Sequence, residues 1–200
     1  GWVSKRLFDW VMSSLGLLML APVLLFIALA IKLDSPGPVF FRQERVGRFG
    51  KPFHIHKFRT MRHDPAGKGM QLTVGGDSRI TRVGRVLRET KLDELAQLID
   101  VWLGTMSLVG PRPEVPRYVQ HYPAELKDKV LSVRPGITDI ASIEYRDENA
   151  VLARAANPEQ EYIHVVLPHK LALQARYVAQ ASVWMDVRLI WRTIMAIVLG

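Results

Sequence analysis

Asp93 and Glu94 stand side by side at the end of the most basic part of the chain, where residues 42–92 hold 13 Lys/Arg against four Asp/Glu. Thr90 to Trp102 reads as a helix start: Thr90 is placed to be the N-cap, Asp93 falls at the third helical position, and Leu95, Leu98, Ile99 and Trp102 share an apolar face. Carboxylates in a first turn answer the helix dipole, and that structural role alone accounts for such a pair. The same position beside Arg88 and Lys91 also holds a carboxylate ionised, ready to act as a nucleophile or a metal ligand. Downstream, Pro111 and Pro113 fix the backbone on both sides of Arg112, which suits a guanidinium that clamps phosphate. Arg134-Pro135-Gly136-Ile137-Thr138 is a second such turn. His54-x-His56 has the residue types of a metal pair but no third ligand of matching type nearby, so a structural role is expected. Arg79, Arg82, Arg85 and Arg88 recur at every third position, a spacing that spirals around a helix, so most are expected to face solvent or lipid headgroups.

These groups need elements to hold them. Val39-Phe40-Phe41 and Phe53-His54-Ile55-His56-Lys57-Phe58 read as short strands joined around Gly47 and Gly50. Leu15 to Ile31 carries no charged or hydrogen-bonding side chain, and Trp10 to Ser14 extends it. A spanning helix needs about 20 apolar residues, so the length is adequate. A cleaved signal peptide fits worse, because no A-x-A site follows; a buried helix of a soluble core is the bland alternative. Lys5 and Arg6 flank the run on one side, and Lys32, Arg42, Arg45, Arg48 and Lys51 lie on the other, so positive charge draws both ends to the same face of a membrane. Pro22 removes a helical hydrogen bond near the middle. The expectation is a re-entrant helix–break–helix over residues 1–34, opened at Ala21-Pro22, with a kinked spanning helix as the alternative. From Lys170 a helix carries Tyr177, Trp184 and Trp191 among Arg176, Asp186, Arg188 and Arg192, as an interfacial helix does, or an ordinary core helix.

Composition bounds the rest. Two hundred residues, 48% hydrophobic and 23% charged, suit one ordinary folded domain rather than a disordered or fibrous chain. The absence of cysteine excludes disulfide scaffolds, thiol nucleophiles and iron–sulfur clusters. The balance of 27 Lys+Arg against 19 Asp+Glu, formally +8, points to a polyanionic partner. DNA is disfavoured by the adjacent apolar segment and by the lack of any zinc-finger, RNP or basic-zipper pattern, so no nucleic-acid partner is expected. The fold class expected is α+β: residues 1–34 as membrane anchor, and residues 35–200 as a catalytic domain with a small β-sheet and a C-terminal interfacial helix.

In this order the pieces resemble the bacterial sugar transferase family, the monotopic polyprenol-phosphate phosphoglycosyl transferases. The resemblance runs from Lys5-Arg6-x-x-Asp9 to about Thr193. It passes through Ser35-Pro36-Gly37-Pro38-Val39-Phe40, Gln43-x-Arg45-x-Gly47, Lys57-Phe58-Arg59-Thr60-Met61 and Arg79-Ile80-Thr81-x-x-Gly84. It continues through Leu92-Asp93-Glu94-Leu95-x-Gln97-Leu98, Ser107-Leu108-Val109-Gly110-Pro111-Arg112-Pro113 and Arg134-Pro135-Gly136-Ile137-Thr138. The length is similar to the family's minimal, catalytic-domain-only form. The resemblance implies two-step phosphoryl transfer from a UDP-sugar to undecaprenyl phosphate, with Asp93 as nucleophile, Glu94 as its acidic partner and UMP released. It implies Mg²⁺ held at Asp93, and substrate-phosphate contacts from Arg88, Arg112 and Arg146 and from Lys57 and Arg59 of a basic motif. It also implies a site at the cytoplasmic face of the bacterial inner membrane, anionic lipids around it, and downstream glycosyltransferases as possible partners. The chain departs from the family at Ala21-Pro22, where many members have Ser-Pro. It departs again at Asp139-Ile140-Ala141-Ser142-Ile143-Glu144-Tyr145-Arg146, where many have Gly-x-Ala-Gln-x-x-Gly-Arg. A membrane-tethered binder of anionic lipid or nucleotide, without chemistry, is the competing reading, and Asp93→Asn separates the two.

Overall fold

The apolar run forms one helix, α1 (Trp2–Asp34), in the computed structural model, which describes residues 1–63, 78–144 and 152–200. The backbone stays helical through Ala21-Pro22, so the expected interruption appears as a proline inside a continuous helix. A proline removes one donor and leaves the turns on either side able to form. Only Lys5, Asp9, Ser13, Ile27 and Ile31 are buried, one stripe at helical spacing. Towards the N-terminus that stripe is polar. Asp9 Oδ2 accepts from Ser107 Oγ (2.6 Å), Lys5 Nζ donates to Val109 O (3.0 Å) and also pairs with Asp186, and Arg6 donates to Val101 O (2.8 Å). At the other end Ile27 and Ile31 pack with Phe58, Leu87 and Ala96, and Asp34 Oδ2 accepts from Val83 N (3.1 Å). Both ends of α1 therefore rest on the same body. The outer side, with Leu18, Met19, Leu25, Phe26, Leu29 and Leu33, is exposed, and α1 is apolar and long enough to cross a bilayer.

The strands are shorter and more divided than one small sheet. β1 (Phe40–Phe41) pairs antiparallel with β4 (Lys57–Phe58), β2 (Glu44–Val46) antiparallel with β3 (Pro52–His54), and β5 (Ser107–Val109) parallel with β6 (Gly136–Thr138). The run from Phe53 to Phe58 splits because its middle bonds elsewhere: Ile55 N donates to Gln43 O (3.1 Å) and His56 N to Asp100 Oδ2 (2.8 Å). A 3₁₀ turn, Arg48–Gly50, joins β2 to β3. β5 and β6 approach so closely that a Cβ on Gly136 would lie 2.0 Å from Gly110 N, which leaves glycine as the residue for that site.

Helices fill the remainder: α2 (Arg82–Thr90), α3 (Leu98–Leu103), α4 (Pro116–Val119), α5 (Ala124–Val130), α6 (Ile140–Glu144), α7 (Pro158–Glu161), α8 (Leu167–Gln180) and α9 (Val183–Leu199). The C-terminal region is two helices rather than one, separated at Ala181-Ser182, with Ser182 Oγ accepting from Met185 N (3.1 Å) as the cap of α9. α8 is a core helix, burying Leu171, Gln174 and Tyr177. α9 instead exposes Trp184, Trp191, Ile194 and Ile197, as an interfacial helix does. The main core gathers Val115, Tyr118, Val130, Tyr162 and Leu171.

Candidate active site

The acidic pair does not open a helix capped by Thr90. Thr90 is the last residue of α2, and its hydroxyl donates back to Val86 O (2.7 Å). Lys91, in the left-handed region at φ 63°, ends α2 and turns the chain into a 3₁₀ segment, Leu92–Gln97, with Asp93 and Glu94 in its first turn. The apolar face shifts accordingly: Ala96 and Leu98 are buried, whereas Trp102 is 45% exposed.

Asp93 is only 3% exposed. Its Oδ2 lies 3.4 Å from Lys57 Nζ at the start of β4, and its Oδ1 is buried with no hydrogen-bond partner among the described residues. Glu94 Oε1 accepts from Arg112 Nη1 (2.8 Å). Arg88, in the last turn of α2, donates to Thr60 Oγ1 (3.4 Å) and contributes positive charge at Asp93. The placement of α2 is itself built: Thr81 N donates to Thr60 O (3.0 Å), Thr81 Oγ1 caps Gly84 N (2.9 Å), and a Cβ on Gly84 would meet Thr60 O at 2.0 Å. Thus Arg79-Ile80-Thr81-x-x-Gly84 is the docking of α2 that delivers Arg88.

The charges are not equivalent. Burial pushes the Asp93 carboxyl up, Lys57 opposes and Glu94 adds, so its charge is set by burial and neighbouring groups rather than by a helix start alone. For Glu94 burial pushes the same way, but Arg112 and Lys57 overcome it and hold the carboxyl at about 2. Burial also lowers Lys57 against the pull of Asp93. One carboxylate is therefore firmly ionised beside another that is kept more basic than usual.

Of the expected residues, Asp93, Glu94, Lys57, Arg88 and Arg112 come together. Arg59 does not join them: Nε donates to Pro38 O (2.7 Å), Nη1 to Ser35 Oγ (2.6 Å) and Nη2 to Ser35 O (2.9 Å), so it staples the turn that follows α1. Arg146 lies outside the described residues. His54 is exposed, and His56 Nδ1 sits 2.9 Å from Asp100 Oδ1, so the two do not make a metal pair. Among the described residues no group of three or more His, Cys, Asp or Glu is placed to hold a metal. Two residues were missed. Arg45 lies under the Arg112 turn, with Nη1 on Pro113 O (2.7 Å), and burial together with Arg112 lowers it to about 10. Asp139 accepts from Arg112 N (2.9 Å). The signals for them were Gln43-x-Arg45-x-Gly47 and the departure after Thr138.

Comparison with known proteins places the chain among transferases. The family model for bacterial sugar transferases matches residues 1–200. The chain is 38% identical over 192 residues to the UDP-glucose:undecaprenyl-phosphate glucose-1-phosphate transferase of Caulobacter vibrioides, covering 95% of this chain and 68% of that protein. It is 40% identical over 209 residues to the exopolysaccharide production protein PSS of Rhizobium leguminosarum bv. phaseoli, covering 97% and 94%. It is 39% identical over 193 residues to the UDP-glucose:undecaprenyl-phosphate glucose-1-phosphate transferase of Escherichia coli K12, covering 95% of this chain but 39% of that protein. The chain belongs to the bacterial sugar transferase family.

Proposed function

We propose that the protein moves a sugar-1-phosphate from a UDP-sugar to undecaprenyl phosphate, as a membrane step in making a surface glycan. The observation that carries this reading is Asp93: a buried carboxylate with one oxygen beside Lys57 and the other without a protein partner. In the first step an Asp93 oxygen attacks the sugar-bearing phosphorus, the bond to UMP breaks, and the phosphosugar is left on Asp93. In the second step a phosphate oxygen of undecaprenyl phosphate attacks the same phosphorus, freeing Asp93 and forming undecaprenyl-diphosphate-sugar. A raised carboxyl is a stronger nucleophile once ionised, and Lys57 and Arg88 favour the ionised form. Arg112, oriented by Glu94, presents a planar donor to phosphate oxygens. Mg²⁺ fits the unpartnered Asp93 Oδ1, since this ion commonly takes one or two carboxylates and completes its shell with substrate phosphate and water. When bound it neutralises charge on the diphosphate.

The anchor supports the same reading. Asp9 and Asp34, towards the two ends of α1, are both hydrogen-bonded to one body, which would itself have to lie within the bilayer if α1 crossed it. This favours a monotopic arrangement at the cytoplasmic face, where a water-soluble donor meets a lipid acceptor and anionic lipids surround the basic stretch.

The test is UMP release from a panel of UDP-sugars, using the full chain, undecaprenyl phosphate and Mg²⁺, with Asp93→Asn alongside. Release by the wild type alone supports the reaction and names the sugar. Equal release by Asp93→Asn overturns the covalent intermediate, and binding of donor without release from any of them favours a binder.

A further inference from the structure

Asp139 follows β6 directly, beside the end of β5, and takes no part in the chemistry proposed above. Its carboxylate is 3% exposed and accepts three hydrogen bonds. Oδ2 accepts from Arg112 N (2.9 Å) and from the side-chain amide of Gln174 (2.6 Å), and Oδ1 accepts from Ala141 N (3.0 Å). One side chain thus joins the Arg112 turn, the first turn of α6 and the core helix α8.

The attachment to Arg112 has a particular physical meaning. Past the end of β5, Gly110 N donates to Thr138 O (3.0 Å), and Pro111 O accepts from Gly136 N (3.0 Å) at the start of β6. Asp139 then supplies, from a side chain, the next acceptor after the Thr138 carbonyl. Pro111 and Pro113 have no N–H, so that of Arg112 is the one main-chain donor across the tripeptide. Gripping it fixes the turn at the residue whose guanidinium meets Glu94 2.8 Å away.

We propose that Asp139, backed by Gln174, is a positioning residue that sets where the Arg112 guanidinium lies beside Glu94 and Asp93. The inference rests on Arg112 acting on the substrate phosphate, as in the reading above. Side-chain reach separates this role from that of a plain helix cap. In Asp139→Ser a hydroxyl still caps Ala141 N, but it is too short to hold Arg112 N as well.

The experiment is a double-mutant cycle on kcat/KM for UMP release, with melting temperature measured for every variant of the full chain. Asp139→Ser is expected to lower kcat/KM about 10- to 100-fold, as small misplacements of a clamp do. It should lower it no further when added to Arg112→Ala. An equal loss in both backgrounds, or no loss from Asp139→Ser while Arg112→Ala is crippled, overturns the inference. Gln174→Met guards against a variant that fails to fold. Gln174 Oε1 is buried with no hydrogen-bond partner among the described residues, so Met removes an unsatisfied acceptor against the loss of the bond to Asp139, and the fall in melting temperature is expected to be small. A smaller fall in kcat/KM, absent from the Arg112→Ala background, is expected. If Arg112→Ala is itself without effect, Arg112 is not the clamp, and the inference fails with that reading while Asp93→Asn still tests the reaction.

Discussion

Two of this molecule's buried carboxylate clusters are finished differently. Beside the start of α1 every acceptor is matched: Asp9 takes Ser107 Oγ and Leu108 N, and Asp186 takes Lys5 and the Tyr177 hydroxyl (2.5 Å). Beside the end of α2, Asp93 has Lys57 at 3.4 Å on one oxygen and, among the described residues, no hydrogen-bond partner on the other. A buried network with all its bonds made is a joint, and here it locks α1 to β5 and α9. A buried carboxylate left with an open oxygen costs stability that the fold does not recover by itself. On the proposed reading, the first cluster is structural and the second is the place where a ligand completes the set.

The comparison breaks most sharply at Asp93. Asp93→Asn is expected to lower turnover by a factor of about 10⁴ or more, while the melting temperature stays level or rises because a desolvated charge is removed. A fall in both would make Asp93 another joint. The reverse pattern is expected at Lys5→Met. Removing one partner of a buried pair costs about 3–5 kcal/mol, read by urea unfolding, with turnover per folded molecule retained at low temperature. Next comes Arg59→Lys, expected to cost roughly 1–3 kcal/mol as carbonyl partners around Ser35 and Pro38 go unmatched. Loss of activity at unchanged stability would instead return Arg59 to the substrate. The smallest effect is with pH. Because the Asp93 carboxyl is raised in the folded state, its contribution to stability is fully present below the unfolded value and is lost as pH rises through the folded one. Activity should rise over the same interval, and Asp93→Asn should shallow the stability slope, with Asp139 and Asp186, also raised by burial, supplying what remains, as thermal unfolding at a series of pH values will show.

Much of the site was legible because residue type and order carried it. The acidic pair, Lys57, Arg88 and the Pro-flanked Arg112 converge as their chemistry demands, and the apolar run from Leu15 to Ile31 marked a helix, though one expected to break at Ala21-Pro22 where the structure is continuous. What stayed hidden depends on backbone states and distant pairing. A lysine at φ 63° gives no signal of its own, so the helix start was placed at Thr90 instead of past Lys91. The grip of Asp139 on Arg112 depends on β6 lying beside β5, a pairing of residues far apart in the chain. Arg59 looked like a phosphate ligand because an arginine's partners, whether carbonyl or phosphate, are set by the turn that meets it.

The double tethering of α1 has a kinetic consequence on the proposed reading. An anchor clasped near Asp9 and again at Asp34 cannot swing on a hinge, so helix and reaction centre travel as one rigid raft. Lateral diffusion then brings the centre to its lipid phosphate at constant depth. The search for the acceptor becomes two-dimensional, while the soluble donor arrives from three.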